Sequence, residues 1–169
     1  CGSGLEAINE AARLIQLNLA NVCVAGGSES MSNGKYFSDH MRSGARLGHV
    51  TMTDSVVAVL TDPMLGIHMG LTAENLAEKY GISREEQDAF ALKSHQKAVR
   101  ARQEKRFESQ IIPVGIASRK ETVVVEADEG PREDTSLDSL ARLSPAFKPS
   151  GTVTAGNASS LNDAASAVL

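Results

Sequence analysis

The chain opens on Cys1-Gly2-Ser3-Gly4 and passes at once into an amphipathic helix pattern. Aligned peptide dipoles and unpaired N–H groups at a helix start favour the thiolate over the thiol, and the thiolate is the species that attacks carbonyl carbon. Small residues at positions 2 to 4 let a substrate come close to the backbone. The helix that must position the thiol is marked by Leu5, Ile8, Ala12, Ile15 and Leu19, which recur on one face, with Glu6, Asn9, Glu10 and Arg13 mainly on the other. Spacing alone also fits a small buried hydrophobe or the product of a cleavage. Cys23 lies in the apolar run Ala20 to Gly27, which reads as a fully buried strand ending in paired glycines. Two cysteines so placed form no CxxC, no disulfide framework and no zinc set, and they fit a reducing compartment.

At 169 residues and 17.8 kDa, with 41% hydrophobic residues, the chain can build one ordinary core. Four Phe, two Tyr and no Trp make that core aliphatic. A formal charge of −4 gives no basic excess for nucleic acid or an anionic membrane. No apolar run has the length of a membrane span, and no secretory signal is present, although the chain does not begin with methionine. It starts on its most reactive residue and stops in the apolar run Ala164 to Leu169, so both ends look cut.

Residues 1 to 30 predict a helix and a strand, a pair that stacks into layered α/β folds. From Met31 to about Gly70 periodicity is weak, the texture of a functional segment, an interaction arm or a disordered insertion. Thr72 precedes a short helical pattern over 73–80 that Gly81 stops. Ser83-Arg84-Glu85-Glu86 is a capping box for a helix to about Arg106. That helix carries Lys97, Arg100, Arg102, Lys105 and Arg106, which read as a solvated last turn complementing the helix dipole or as a lure for a phosphate. Ile111 to Ala117 and Thr122 to Ala127 predict a hairpin around Ser118-Arg119-Lys120-Glu121, and Thr135 to Leu143 a short helix. Gly151 to Asp163 reads as a strand that runs through small polar residues into a helix. On spacing alone His68 is a packed or surface histidine, Arg132 an ordinary loop charge, and His40, His49 and His95 loop or helix-surface residues. There is no repeat, P-loop, GxGxxG, HExxH or RNA-binding motif.

Four segments together resemble the thiolases, the acetyl-CoA acetyltransferase or 3-ketoacyl-CoA thiolase family. Cys1-Gly2-Ser3-Gly4 is similar to the family's nucleophile motif, and Gly26-Gly27-Ser28-Glu29-Ser30-Met31-Ser32 to its following strand end. His68-Met69-Gly70 with Thr72-Ala73-Glu74-Asn75 is similar to its acyl-pocket segment, and Gly151 to Asp163 to its GTVTAGNAS stretch. In order and spacing they cover nearly the whole chain. The resemblance implies an α/β fragment: part of a layered α-β-α core over 1–30, an inserted α+β coenzyme A-binding loop domain over 31–161, and a return to the core over 162–169. It implies acyl transfer between coenzyme A thioesters through a Cys1 acyl-enzyme, with acyl-CoA as substrate, no permanently bound cofactor and no metal. Leu60, His68, Met69, Arg132, Ser139, Phe147, Ala155 and Ser159 fall at positions that line the coenzyme A site. Of these, Arg132 and Ser139 lie toward the nucleotide end, Phe147, Ala155 and Ser159 along the pantetheine arm, and His68 and Met69 near the acyl group.

The family's oxyanion-hole histidine and asparagine and its second cysteine have no counterpart here, so the chain reads as the middle of such an enzyme, inactive alone. Ser160 stands where the family usually has glycine. The resemblance further implies a homo-oligomer, dimer or tetramer, with the segment Tyr36 to Val56 as an arm that orders against another subunit. His68-Met69 is similar to short-chain members, and a cytoplasmic role in fatty acid metabolism is expected. Two other readings stand beside it. One is a non-catalytic coenzyme A-binding or oligomerisation fragment; the other is an N-terminal-nucleophile hydrolase, which a helix rather than a strand after Cys1 disfavours.

Overall fold

A computed structural model describes residues 1–118 and 121–169. The chain divides into two compact units, Cys1–Gly66 with Leu161–Leu169, and Ile67–Ser160.

The first unit starts with helix α1, Ser3–Gln16, whose N-cap Gly2 makes no side-chain cap hydrogen bond. Glu6 and Glu10 flank Arg13 at 2.7 and 3.1 Å on the solvent side. Its half-buried face is Gly4, Ala7, Ala11 and Leu14, not the expected stripe of Leu5, Ile8, Ala12, Ile15 and Leu19, which is exposed. Gly4 Cα lies 3.5 Å from where a Cβ on Gly27 would stand, so helix and strand approach backbone to backbone.

That strand, β1, is Ala25–Glu29. It pairs antiparallel with a strand at the end of the chain, Ala164–Val168, numbered β6 below, from Ala25 opposite Val168 to Glu29 opposite Ala164. The expected buried strand over 20–27 is thus shorter and shifted. The ladder begins only at Ala25, so Val22 and Val24 are 70% and 73% exposed and Cys23 is half-buried rather than sealed in a core. Asp163, just ahead of β6, accepts from the Ser30 hydroxyl at 3.0 Å, the Ser32 N–H at 2.8 Å and the Ser32 hydroxyl, which knits the end of β1 to the start of its partner. Between them, residues 31–66 hold two single 3-10 turns, the two-residue strands β2 (Tyr36–Phe37) and β3 (Thr53–Asp54), and helix α2 (Ser55–Val59). Asp54 caps α2, accepting from the Val56 N–H at 2.8 Å.

In the second unit α3 spans Met69–Tyr80, beginning a turn earlier than the Thr72 expectation. The ring of His68 serves as its N-cap, and the Thr72 hydroxyl instead donates back to the Met69 carbonyl at 2.6 Å. Gly81 ends the helix at φ 63°, the left-handed conformation glycine adopts without a Cβ penalty. The Ser83 and Glu86 capping box forms as expected and opens α4, Arg84–Gln103. That helix stops short of Arg106, and Lys105 beyond it takes a left-handed φ of 54°. Strands β4 (Val114–Ala117) and β5 (Thr122–Val125) pair antiparallel as the expected hairpin. Arg119 and Lys120 of its turn lie outside the described residues. Helix α5, Leu137–Ala141, is shorter than the 135–143 expectation and carries its own capping box between Ser136 and Ser139.

The stretch from Gly151 differs most from expectation. It forms neither the strand nor the helix that was read there, and the chain regains regular structure only as β6. Its backbone donors are taken by side chains: the Thr152 and Val153 N–H groups by the Glu74 carboxylate at 2.8 Å, and the Thr154 N–H by Asn157 Oδ1 at 2.8 Å. Donors so engaged form no ladder and no helical ring. Ala77, Leu140 and Val153 are the buried apolar residues of the unit, with Glu74, Asp88 and Thr154 buried among its polar ones.

Candidate functional site

Cys1 is exposed and directly precedes the N-cap of α1. A Cβ added at Gly2 or Gly4 would meet no atom within 4 Å, so the backbone at the helix start is open to a visiting group. Leu60, the half-buried C-cap residue of α2, belongs to the same unit.

The other sequence-derived site residues all lie in the second unit. His68 Nδ1 accepts the Gly70 N–H at 3.0 Å, which leaves the proton of the neutral ring on Nε2. The ring stacks on Phe147 with centroids 4.8 Å apart and 21° between planes. A Cβ on Gly70 would overlap the Phe147 ring, so glycine at 70 is what lets the aromatic pair close over the start of α3. Met69, the first residue of that helix, is partly exposed. The Ala146 N–H donates to the Val153 carbonyl at 2.9 Å and fastens the Phe147 segment to the loop that carries Ala155 and Ser159, both exposed. Packing joins that loop to α5, because a Cβ on Gly156 would stand 2.5 Å from Leu140 Cδ2 and 2.6 Å from Leu143 Cδ1.

Ser139, on α5, uses its hydroxyl within the capping box, accepting from the Ser136 N–H at 2.9 Å and donating to the Ser136 carbonyl at 2.8 Å. Arg132 is exposed and forks onto Asp134 at 3.1 and 3.0 Å. The Asp134 carboxylate raises the guanidinium further above its ordinary value, and the guanidinium holds Asp134 below the usual carboxylate range. The Arg132 N–H donates to His95 Nδ1 at 3.1 Å, so His95 ties α4 to the arginine loop instead of standing as a bare surface residue.

The basic end of α4 resolves as ion pairs. Arg100 pairs with Glu104 at 2.6 Å and Lys105 with Glu108 at 2.7 Å, while Arg106 also reaches Glu104 and Arg102 reaches Glu133. A solvated last turn is the reading these pairs favour over a phosphate lure. Among the described residues no group of His, Cys, Asp and Glu could hold a metal ion, and no helix is long and apolar enough to cross a membrane.

Sequence reasoning missed the groups beneath the loop. Glu74, only 4% exposed, accepts the Thr152 N–H with both oxygens at 2.8 and 2.9 Å, the Val153 N–H at 2.8 Å and the Thr152 hydroxyl at 3.1 Å. Gln87 donates to that same hydroxyl at 2.9 Å, leaving its proton for the carboxylate. Burial pushes the Glu74 carboxyl up, but the N–H groups of Val153 and Thr152, the hydroxyl and nearby Lys148 together hold it below the ordinary glutamate value. One signal was available: Glu74 shares the covered face of α3 with Ala77.

These features define an α/β chain with a cysteine at the start of one helix, a stacked His68–Phe147 pair at the start of another, and a loop held by buried acids. The family model for the thiolase N-terminal domain matches residues 1–169, and the chain belongs to that family. It is 53% identical over 171 residues to a probable acetyl-CoA acyltransferase of Staphylococcus aureus, covering all of this chain and 44% of that protein. The crystal structure of the Bacillus anthracis acetyl-CoA acetyltransferase superposes with a TM-score of 0.91 at 50% identity, over 99% of this chain and 42% of that one. Human mitochondrial 3-ketoacyl-CoA thiolase in complex with CoA gives 0.89 at 40% identity, with the same coverage. The chain thus spans less than half the length of these relatives.

Proposed function

We propose that the protein carrying this chain is an acyltransferase that moves acetyl or acyl groups between coenzyme A thioesters, by thiolytic cleavage of 3-ketoacyl-CoA or condensation of two acetyl-CoA. The observation that carries the reading is Cys1 at the open start of α1 in a thiolase N-terminal domain. Cys1 Sγ bonds to the reacting carbonyl carbon. In thiolysis the carbon–carbon bond from it to the α-carbon breaks and acetyl-CoA leaves after taking up a proton; in condensation its bond to the coenzyme A sulfur breaks and coenzyme A leaves. In both the acyl group is held as a thioester. Coenzyme A, or a second acyl-CoA, then takes the acyl group and frees the cysteine. Leu60, His68, Met69, Arg132, Ser139, Phe147, Ala155 and Ser159 line the coenzyme A site in this reading, with Arg132 and Ser139 at its nucleotide end, Phe147, Ala155 and Ser159 along its pantetheine arm, and His68 and Met69 near the acyl group. Residues 1–30 and 162–169 belong to the catalytic core and 31–161 to the inserted coenzyme A-binding domain. The protein is a cytoplasmic homo-oligomer, dimer or tetramer, of fatty acid metabolism, and coenzyme A is a substrate rather than a resident cofactor.

The test is thiol mapping in the whole protein. Iodoacetamide titration with mass mapping labels Cys1 before half-buried Cys23, and acetyl-CoA protects Cys1. Cys1→Ser removes nearly all turnover and keeps coenzyme A binding. Equal or reversed labelling overturns the assignment.

A further inference from the structure

Asp88 is 3% exposed, and its two oxygens bond in opposite directions. Oδ1 accepts from Asn157 Nδ2 at 2.9 Å, and Oδ2 accepts from Arg84 Nε at 2.7 Å. Each partner carries the connection onward. Asn157 holds the loop from within, accepting the Thr154 N–H at 2.8 Å and donating to the Thr152 carbonyl at 3.0 Å. Arg84 Nη2 donates to the Leu140 and Leu143 carbonyls at 2.6 and 3.1 Å, at the C-terminal end of α5 where helical carbonyls lack intrahelical partners. One carboxylate therefore joins two segments through an unbroken hydrogen-bonded path.

Both segments need such a joint. Helix α5 has five residues, too few to hold its own conformation, and the loop from Gly151 has no ladder. They touch through Gly156 against Leu140 and Leu143, but apolar packing sets proximity more than register. The ion pair is itself nearly closed to water, with side-chain exposures of 19% and 5%. A buried ion pair gives little net stability over apolar residues of the same volume, whereas the planar guanidinium fork fixes direction.

We infer that the Arg84–Asp88 pair is a positioning joint that sets the spacing between two parts of the coenzyme A site: the nucleotide end at α5 with Ser139, and the pantetheine arm at the loop with Ala155 and Ser159. The inference rests on the acyl-CoA reading given above. Neither joint residue touches the ligand in this account. A coenzyme A molecule that engages both segments gains from their fixed separation, as any two-point ligand does, and a fragment that engages one segment does not.

The experiment is calorimetric titration of the whole protein with coenzyme A and, separately, with pantetheine, which lacks the nucleotide. In Asp88→Asn the side chain keeps its size, but its amide N–H₂ must face a donor of Arg84 or of Asn157. The expected result is coenzyme A binding weakened by about tenfold or more, with pantetheine binding held within about twofold. Arg84→Lys keeps a cation beside Asp88 but cannot also reach both α5 carbonyls, and it gives the same split where Asp88→Asn does not fold. Equal weakening of both ligands overturns the joint, since loss of the loop or of the fold moves both. Unchanged binding of both in a folded variant overturns it as well. If the unsubstituted protein binds no coenzyme A, the acyl-CoA reading falls and takes the joint with it. That outcome is distinct from normal binding with insensitive variants, which overturns the joint alone.

Discussion

Glu74→Gln isolates what the buried carboxylate does for the loop at 151–157. Glu74 Oε1 accepts the Val153 and Thr152 N–H groups, both at 2.8 Å, and Oε2 accepts the Thr152 N–H and hydroxyl at 2.9 and 3.1 Å. An amide of the same shape keeps one acceptor and turns N–H₂ toward groups that themselves donate. The replaced oxygen accepted two bonds; with the N–H₂ on the Oε2 side the Thr152 N–H keeps Oε1, so the loss is the charge-assisted bond from the Thr152 hydroxyl and one buried donor left unmatched, together about 2–4 kcal/mol. At about 1.4 kcal/mol per factor of ten, amide exchange at Thr152 and Val153 quickens about 30- to 1,000-fold at neutral pH if these amides exchange by local opening of the loop. Hydrogen exchange with mass spectrometry reads this peptide directly. The pH dependence supplies a second check with a definite sign. Because the folded Glu74 carboxyl sits below its ordinary value, its stabilisation is fully present above the unfolded-state pKa of about 4.3 and is lost as pH falls through the lower folded value. Loop protection in the unsubstituted protein therefore drops across that acid window, and in Glu74→Gln this part of the drop is missing. Unchanged exchange at neutral pH, or the same acid dependence in both proteins, would refute the argument.

Two further substitutions probe the His68–Phe147 stack and the nucleotide end. Gly70→Ala forces a methyl into the Phe147 ring and costs about 1–3 kcal/mol through overpacking, read as a lower urea midpoint for the second unit; an unchanged midpoint means the ring moves aside freely. Arg132→Ala, at an exposed residue whose ion pair is also exposed, leaves the urea midpoint essentially unchanged. It weakens coenzyme A more than pantetheine in competition binding, because the lost charge-assisted bonds are to the nucleotide end, and equal loss for both ligands removes that role.

What the sequence makes legible divides by how far away each partner lies. The Ser83 and Glu86 box and the Gly81 stop were readable because their partners fall within one turn. The β4–β5 hairpin was readable for the same reason. The loop from Gly151 reads locally as strand and helix, but its backbone donors are answered by Glu74, far back along the chain, and nothing within the loop itself announces that exchange. At the candidate site, the motif around Cys1 is local and stood out unaided, whereas the stacking of His68 on Phe147 is invisible to spacing.

One signal does reach across that distance. On α4 buried Asp88 and half-buried Arg84, Leu92, His95 and Val99 share a stripe in which charged and titratable side chains stand where aliphatic ones belong. A charge on a covered stripe must find a distant donor or acceptor, since burial without one is too costly to persist. Here each does: Arg84 in α5, Asp88 in Asn157 and His95 in the Arg132 backbone. All three partners lie in or beside segments that carry proposed ligand-lining residues. These polar side chains of the helix are thus its attachment points for the site, and they single out which surface residues are held in place.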